Sequence, residues 1–250
     1  MAQRKEFITL KLDNVRDKRL RIPVSVLRYA KDSVNHLLEI YGSLQSKRRG
    51  GAPRTEEQDL LRATVVMACA GLDACVKSLI EHTIKDVVHQ NEDAKEALLE
   101  FVRRRLNRSS EGGAIDTKLL AELLVSGRPS ERAADMVVDE LRGRSLQSTE
   151  ELRRAVRFLG VAKFQLPEEL RDLFVARNQI VHEMDMDLGN PHRRRRPRRR
   201  EEMVKYAETA LRVGEALIKE CDQVLVAGRG QGQDQAGIMK RRSTGRGVTK

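Results

Sequence analysis

The sequence is poorest in aromatic side chains: it has no tryptophan, three tyrosines and five phenylalanines in 250 residues. Modules that read single strands by stacking bases on aromatic platforms need more than this. Any contact with nucleic acid is therefore expected to run through backbone phosphates. Cysteine is scarce as well. Cys69, Cys75 and Cys221 form no CxxC pair, and their odd number argues against a disulfide framework. A reducing cytoplasm fits best. No run approaches the roughly 20 apolar residues that a bilayer requires. The opening stretch, MAQRKEFITLKLD, has no apolar centre of signal-peptide length. Neither membrane insertion nor secretion is expected. Metal chemistry also lacks a signature: His36, His82 and His89 are scattered, with no carboxylate or cysteine completing a ligand set. There is no P-loop and no dinucleotide fingerprint, so no cofactor is expected.

Positive charge is what the chain has in excess. Lys and Arg number 48 against 37 Asp and Glu, a formal net charge of +11. Such a balance points to polyanionic partners, RNA above all. At 40% hydrophobic residues the chain can still bury a core.

The alternation of Ile8, Leu10 and Leu12, resumed at Leu20 and Ile22, predicts a short β-hairpin within 1–24. After Pro23 the period is helical. Helices are predicted from about 25 to 45, from Thr55 through Val88, over 92–106, 116–125, 130–142 and 148–159, then 167–188 and 201–226. Thr55 with Gln58 and Ser148 with Glu151 read as capping boxes. The expected organisation is a mainly α helical bundle over 25–227, with the hairpin before it. A Gly/Gln/Arg-rich tail over 228–250 is expected to be disordered.

One helix breaks its own pattern. On a helical wheel centred on Arg177, the residues Leu170, Leu173, Phe174, Ile180, Val181 and Met184 all fall within about 60° to either side. Arg177 thus sits at the centre of an apolar stripe, where a cation needs a partner or water. Asn178 and His182, four apart, share the flanking face. Periodicity alone leaves open a snorkelling arginine beside an ordinary surface histidine. The string Arg177–Asn178–Gln179–Ile180–Val181–His182 narrows the choice. A bare Arg-x4-His arises by chance about 0.7 times in this composition, and with Asn required after Arg about 0.02 times. The string resembles the RNxxxH motif of the HEPN superfamily. The chain most resembles the prokaryotic RiboL-PSP-type branch, with VVMACAGLDACVKSLIEHTI at 65–84 similar to the other core helix.

The resemblance implies a HEPN-like bundle with residues 109–160 as an insertion. It also implies a metal-independent endoribonuclease with Arg177, Asn178 and His182 as its catalytic set, acting across a homodimer, plausible as a toxin or antiviral effector. Histidine suits proton transfer, arginine suits a phosphorane clamp, and the products would be a 2′,3′-cyclic phosphate and a 5′-hydroxyl. Asp73 with Lys77 reads as an i,i+4 ion pair; the other reading is that Asp73 supports Arg177 or His182. Glu183 is expected to be solvated. The run HRRRRPRRR places Arg193, Arg194, Arg195, Arg196, Arg198, Arg199 and Arg200 directly after the motif helix, where they would capture RNA backbone. The alternative is a non-catalytic HEPN module that binds nucleic acid or a partner, an antitoxin or a nucleotidyltransferase among them.

Overall fold

A computed structural model describes residues 7–47, 50–108, 116–146, 148–189, 192 and 194–243; of Arg108 and of 229–243 it describes the backbone alone. Among the described residues there are eight α-helices and no strand: α1 Arg21–Lys47, α2 Thr55–Gln90, α3 Glu92–Arg108, α4 Thr117–Val125, α5 Pro129–Arg142, α6 Thr149–Arg157, α7 Glu169–His182 and α8 Arg200–Ser243.

The central element is α2. Leu61, Val65, Ala68, Leu72, Val76 and Leu79 form the predicted stripe and are buried, but so are Thr64, Gly71, Cys75 and Thr83 on other faces. A helix apolar on several sides belongs in the middle of a bundle. Helices α1, α7 and α8 pack around it, with α3, α5 and α6. Its most apolar 18 residues reach a mean hydropathy of 1.6, enough by length and composition for a membrane span, yet 56% of that window is buried inside the bundle. Gly71 lets α1 approach: a Cβ there would lie 2.1 Å from the Ala30 Cβ. On α8, Met203, Ala207, Leu211, Leu217, Cys221 and Leu225 face the core. On α7 the buried residues are Leu170, Leu173, Phe174 and Ala176.

Capping follows local chemistry. The Asp116 side chain accepts from Leu119 N, and Ser148 Oγ accepts from Glu151 N, as its capping box predicts. At α2 the reciprocal partner is Glu57, which accepts from Arg54 N, so the predicted Thr55–Gln58 box is displaced by one residue.

The predicted β-hairpin is not formed. Residues 7–17 run as an irregular arm, followed by a 3-10 turn at Lys18–Leu20. Ile8, Leu12 and Leu20 are buried, so the alternation correctly reports one-sided burial. The backbone partners come from side chains instead of a second strand. Asn35 both donates to Ile8 O and accepts from Ile8 N. Glu215 accepts from Lys11 N, and Asp222 accepts from Arg16 N and Asp17 N.

Two further boundaries move. α7 stops at His182 and not near Leu188, because Met184 and Asp185 take left-handed φ of 53° and 58°. α8 continues to Ser243, past Gly228, where a disordered tail was expected. The stretch beyond Gly228 contains no proline to interrupt the hydrogen-bond ladder, and each glycine weakens a helix by only about 1 kcal/mol. Residues 244–250 of that expected tail lie outside the described residues.

Candidate active site

The last turn of α7 rises out of the core. Leu170, Leu173, Phe174 and Ala176 are buried, Arg177 through Ile180 are half-buried, and Val181 and His182 are exposed. The arginine at the centre of the stripe therefore stands where the stripe meets solvent, which removes most of its burial cost. Its guanidinium reaches both other motif residues. Nη1 donates to Asn178 Oδ1 at 3.0 Å and to His182 Nε2 at 3.3 Å. The second bond needs a lone pair on Nε2, and hence the neutral ring with its proton on Nδ1. Burial pushes the thiol of Cys69 on α2 up to about 12, with the Arg177 charge pulling the other way. Cys75 and Cys221 are likewise pushed up to about 12 by burial, so none of the three thiols is a ready nucleophile.

Three large apolar side chains close to the motif in the sequence are exposed. Val181 is 40% exposed, Met184 65% and Leu188 64%. Val181 and Met184 were expected on the core stripe; Val181 is exposed because the last turn leaves the core, and Met184 because it lies beyond the end of α7.

Residues 183–199 fold back on themselves. Met186 and Arg195 form an isolated antiparallel bridge, with Asp187 N donating to Arg194 O and Arg196 N to Asp185 O. Much of the arginine run is used inside the protein. Arg195 pairs with Asp59 at 2.7 Å, and Arg196 pairs with Glu183 at 3.1 Å, so Glu183 is not merely solvated. Arg198, its side chain only 9% exposed, grips Asp185 at 2.6 Å and donates to Gln179 Oε1 at 2.9 Å. The Arg200 guanidinium lies over the Phe7 ring. The side chains of Arg194 and Arg199 are exposed to solvent. Arg193 lies outside the described residues.

Asp73 is engaged elsewhere. One oxygen accepts from Lys77 Nζ at 2.8 Å and the other from Leu146 N at 2.8 Å. Lys77 also donates to Arg144 O. The i,i+4 pair is present, and the carboxylate ties α2 to the segment before α6 rather than to the motif.

Sequence reasoning missed Gln58, Arg62, Gln179 and Asp185. Asp185 is fully buried and accepts from Arg62 Nε at 2.7 Å. Gln58 holds the Arg198 backbone in both directions, accepting from its N–H and donating to its carbonyl. One signal was present: Arg62 stands beside Leu61 in a helix apolar on several sides, and such an arginine demands a buried carboxylate. Which carboxylate answers is not encoded locally. Among the described residues no three His, Cys, Asp or Glu side chains cluster closely enough to hold a metal ion.

The profile of the family described as RiboL-PSP-HEPN matches residues 27–223, a segment that includes α7, the first half of α8 and the helices within 109–160. No curated protein and no solved structure matches the chain.

Proposed function

From membership of the RiboL-PSP-HEPN family, to which this chain belongs, we propose that the protein is a metal-independent endoribonuclease whose catalytic residues are Arg177, Asn178 and His182. The family points to an RNA-related role; the specific reaction is our reading. One observation carries it: a single guanidinium nitrogen donates to both the Asn178 amide and the His182 ring, on the exposed end of a helix. The three residue types that phosphodiester transfer needs are thereby gathered at one point.

In the proposed reaction the incoming phosphate draws the Arg177 guanidinium off His182, the Nε2 lone pair so freed accepts the proton of a ribose 2′-hydroxyl, and the oxygen attacks the adjacent phosphorus in line. Arg177 stabilises the charge that develops on the phosphorane oxygens, being permanently cationic and planar. Asn178 orients Arg177 through its side-chain carbonyl. The P–O5′ bond breaks, the 5′-oxygen takes a proton, and a 2′,3′-cyclic phosphate and a 5′-hydroxyl remain. A second copy of His182, protonated, would supply that proton. This is the reason to expect a homodimer joined through the α7 ends. The exposed Val181, Met184 and Leu188 beside the motif give such a contact its apolar area. Arg194 and Arg199 are the members of the arginine run best placed to meet RNA backbone, and the role proposed for Arg195, Arg196 and Arg198 shifts from RNA capture to support. A toxin or antiviral role in the cytoplasm is consistent with an unspecific RNA-cleaving chemistry.

The test is incubation of the protein with total RNA in EDTA, followed by mapping of the ends. Cyclic phosphate and 5′-hydroxyl termini are expected; intact RNA, or 5′-phosphate ends, would refute the reading. Mixing Arg177→Ala with His182→Ala subunits, each inactive alone, should restore part of the activity if each half-site draws on both chains.

A further inference from the structure

Asp185 has no exposed surface, yet it carries a charge and a left-handed backbone. Non-glycine residues in that conformation cost of order 1 kcal/mol or more and persist only where their surroundings fix them. Here the surroundings come from three elements. Arg62 of α2 donates through Nε to Asp185 Oδ2 at 2.7 Å, and its other nitrogens reach Asp59 Oδ1 at 3.1 Å and the Arg196 carbonyl at 2.8 Å. Arg198, two residues before α8, donates to both Asp185 oxygens, at 2.6 and 3.1 Å. The same Arg198 Nη2 donates to Gln179 Oε1, and Gln179 lies inside the motif, between Asn178 and Ile180. The backbone closes the circuit: Asp185 N donates to the Gln179 carbonyl at 2.8 Å, and Asp185 O accepts from Arg196 N.

Burying one carboxylate between two guanidinium groups is a poor way to gain stability, since desolvation offsets most of the attraction. What such a network does well is to fix a single geometry. Its bonds to Asp185 and Gln179 converge on the turn that ends α7 after His182, and those of Arg62 to Asp59 and the Arg196 carbonyl brace it from behind. Without it the helical pattern would run on through Met184, and the C-terminal turn carrying His182 would be free to fray or lengthen. Arg177 and His182 are five residues apart and touch only through Nη1, so their contact depends on where that turn stops.

We propose that Asp185, with Arg62, Arg198 and Gln179, is a positioning clamp that sets His182 against Arg177. The inference rests on reading the α7 end as the catalytic site, and it assigns the centre of the arginine run to holding that site in shape.

The experiment compares wild type with Asp185→Asn, Gln179→Met and Arg198→Lys in two measurements: RNA cleavage at saturating and limiting substrate, and the NMR signals of the His182 ring. Asp185→Asn should lower kcat roughly 10- to 100-fold, the scale of a small misplacement of a catalytic group. KM should stay within roughly threefold, because substrate binding is not what is lost. Gln179→Met keeps the helix and the side-chain volume and should show the same split with a smaller loss. Arg198→Lys keeps the charge without the fork and should fall between them and wild type. In each variant the His182 ring signals should move as they do in Arg177→Ala. A lower melting temperature with unchanged kcat and unchanged ring signals would overturn the proposal and leave the network structural. If Asp185→Asn does not fold, the other two variants carry the same comparison. If wild type cleaves no RNA, the endoribonuclease reading fails while the ring signals still decide the clamp: movement in Gln179→Met supports it, and none overturns it.

Discussion

Two irregular segments are held to the bundle by different mixtures of apolar burial and charge, although the arm too carries one forked pair, Arg19 on the buried Asp17. The arm at 7–20 buries Ile8, Leu12 and Leu20 and hands its backbone amides to side-chain acceptors on α1 and α8. The loop at 183–199 buries no large apolar side chain among its described residues; it buries Asp185, and ties itself down with arginines paired to Asp59, Glu183 and Asp185. Apolar burial is non-directional and tolerates small shifts. Charge-assisted, forked hydrogen bonds are directional and tolerate little. The arm is thus suited to adding stability, and the loop, which touches the motif through Gln179, to holding an angle.

The largest effect that can break this contrast is at the motif. His182→Ala should lower cleavage roughly 10²–10⁴-fold, as the loss of general acid–base help does. Its melting temperature should match wild type within error, since the side chain is exposed. An alanine variant with full activity would remove the chemical distinction between the two segments.

Next is the arm. Asp222→Ala leaves Arg16 N and Asp17 N without their acceptor, at a cost of about 1–3 kcal/mol in denaturant unfolding. Cleavage per folded molecule should not change. A fall in kcat would mean that the arm, too, positions the site.

A smaller effect is expected from the exposed members of the loop. Replacing Arg194 and Arg199 with serine should weaken RNA binding and reduce its salt slope by about 0.7 for each single-strand phosphate that is no longer neutralised. Saturated cleavage should hardly change, in contrast to the variants of Arg198. Equal affinity at low salt would show these arginines to be solvated only.

The subtlest test is pH. Burial pushes the Glu215 carboxyl up, but hydrogen bonds from Lys219, Arg212 and the Lys11 amide outweigh it and hold the group below the ordinary carboxylate range. A depressed carboxylate stabilises the fold above its unfolded value and loses that contribution as pH falls through its folded value. Amide exchange at Lys11 should therefore stay slow at neutral pH and quicken in acid below the usual carboxylate range. Exchange independent of pH after correction for the intrinsic rate would detach the arm from Glu215.

The helices were legible because burial on one face leaves a period, and every predicted helix is present with boundaries mostly within a few residues. The motif was legible as a string. Helical spacing puts 178 and 182 on one face, but 177 and 182 lie about 140° apart on the wheel, so the reach of one guanidinium to both was not legible in it. What escaped has a common cause. The arm alternates as a strand would, but its hydrogen-bond partners are Asn35, Glu215 and Asp222, remote in sequence. The pattern of α7 runs on to Met184, and only the tertiary clamp on Asp185 ends the helix at His182. The arginine run reads as free charge because its carboxylates lie on α2 and within the turn itself. Asp73 reads as an i,i+4 partner of Lys77, which it is, and only the fold shows that the Leu146 amide claims its other oxygen.

Helix α2 imposes a division on the protein that its sequence does not announce. Gln58, Asp59 and Arg62 serve the loop after the motif and the Cys69 thiol feels the Arg177 charge, whereas Asp73, Glu81 and Lys85 reach Leu146, Arg142 and Asp135 in the accessory helices. From Arg62 to Asp73 is about 16 Å along the axis, and a one-residue slip turns a side chain by about 100°. An insertion just after Arg62 would swing it away from Asp185 relative to the rest of the helix and uncouple the site. The same insertion after Asp73 would leave Gln58, Asp59 and Arg62 in register and turn Glu81 and Lys85 away from Arg142 and Asp135, together with Thr83, which faces Cys221 of α8. One helix thus sets the rotational register of both halves at once.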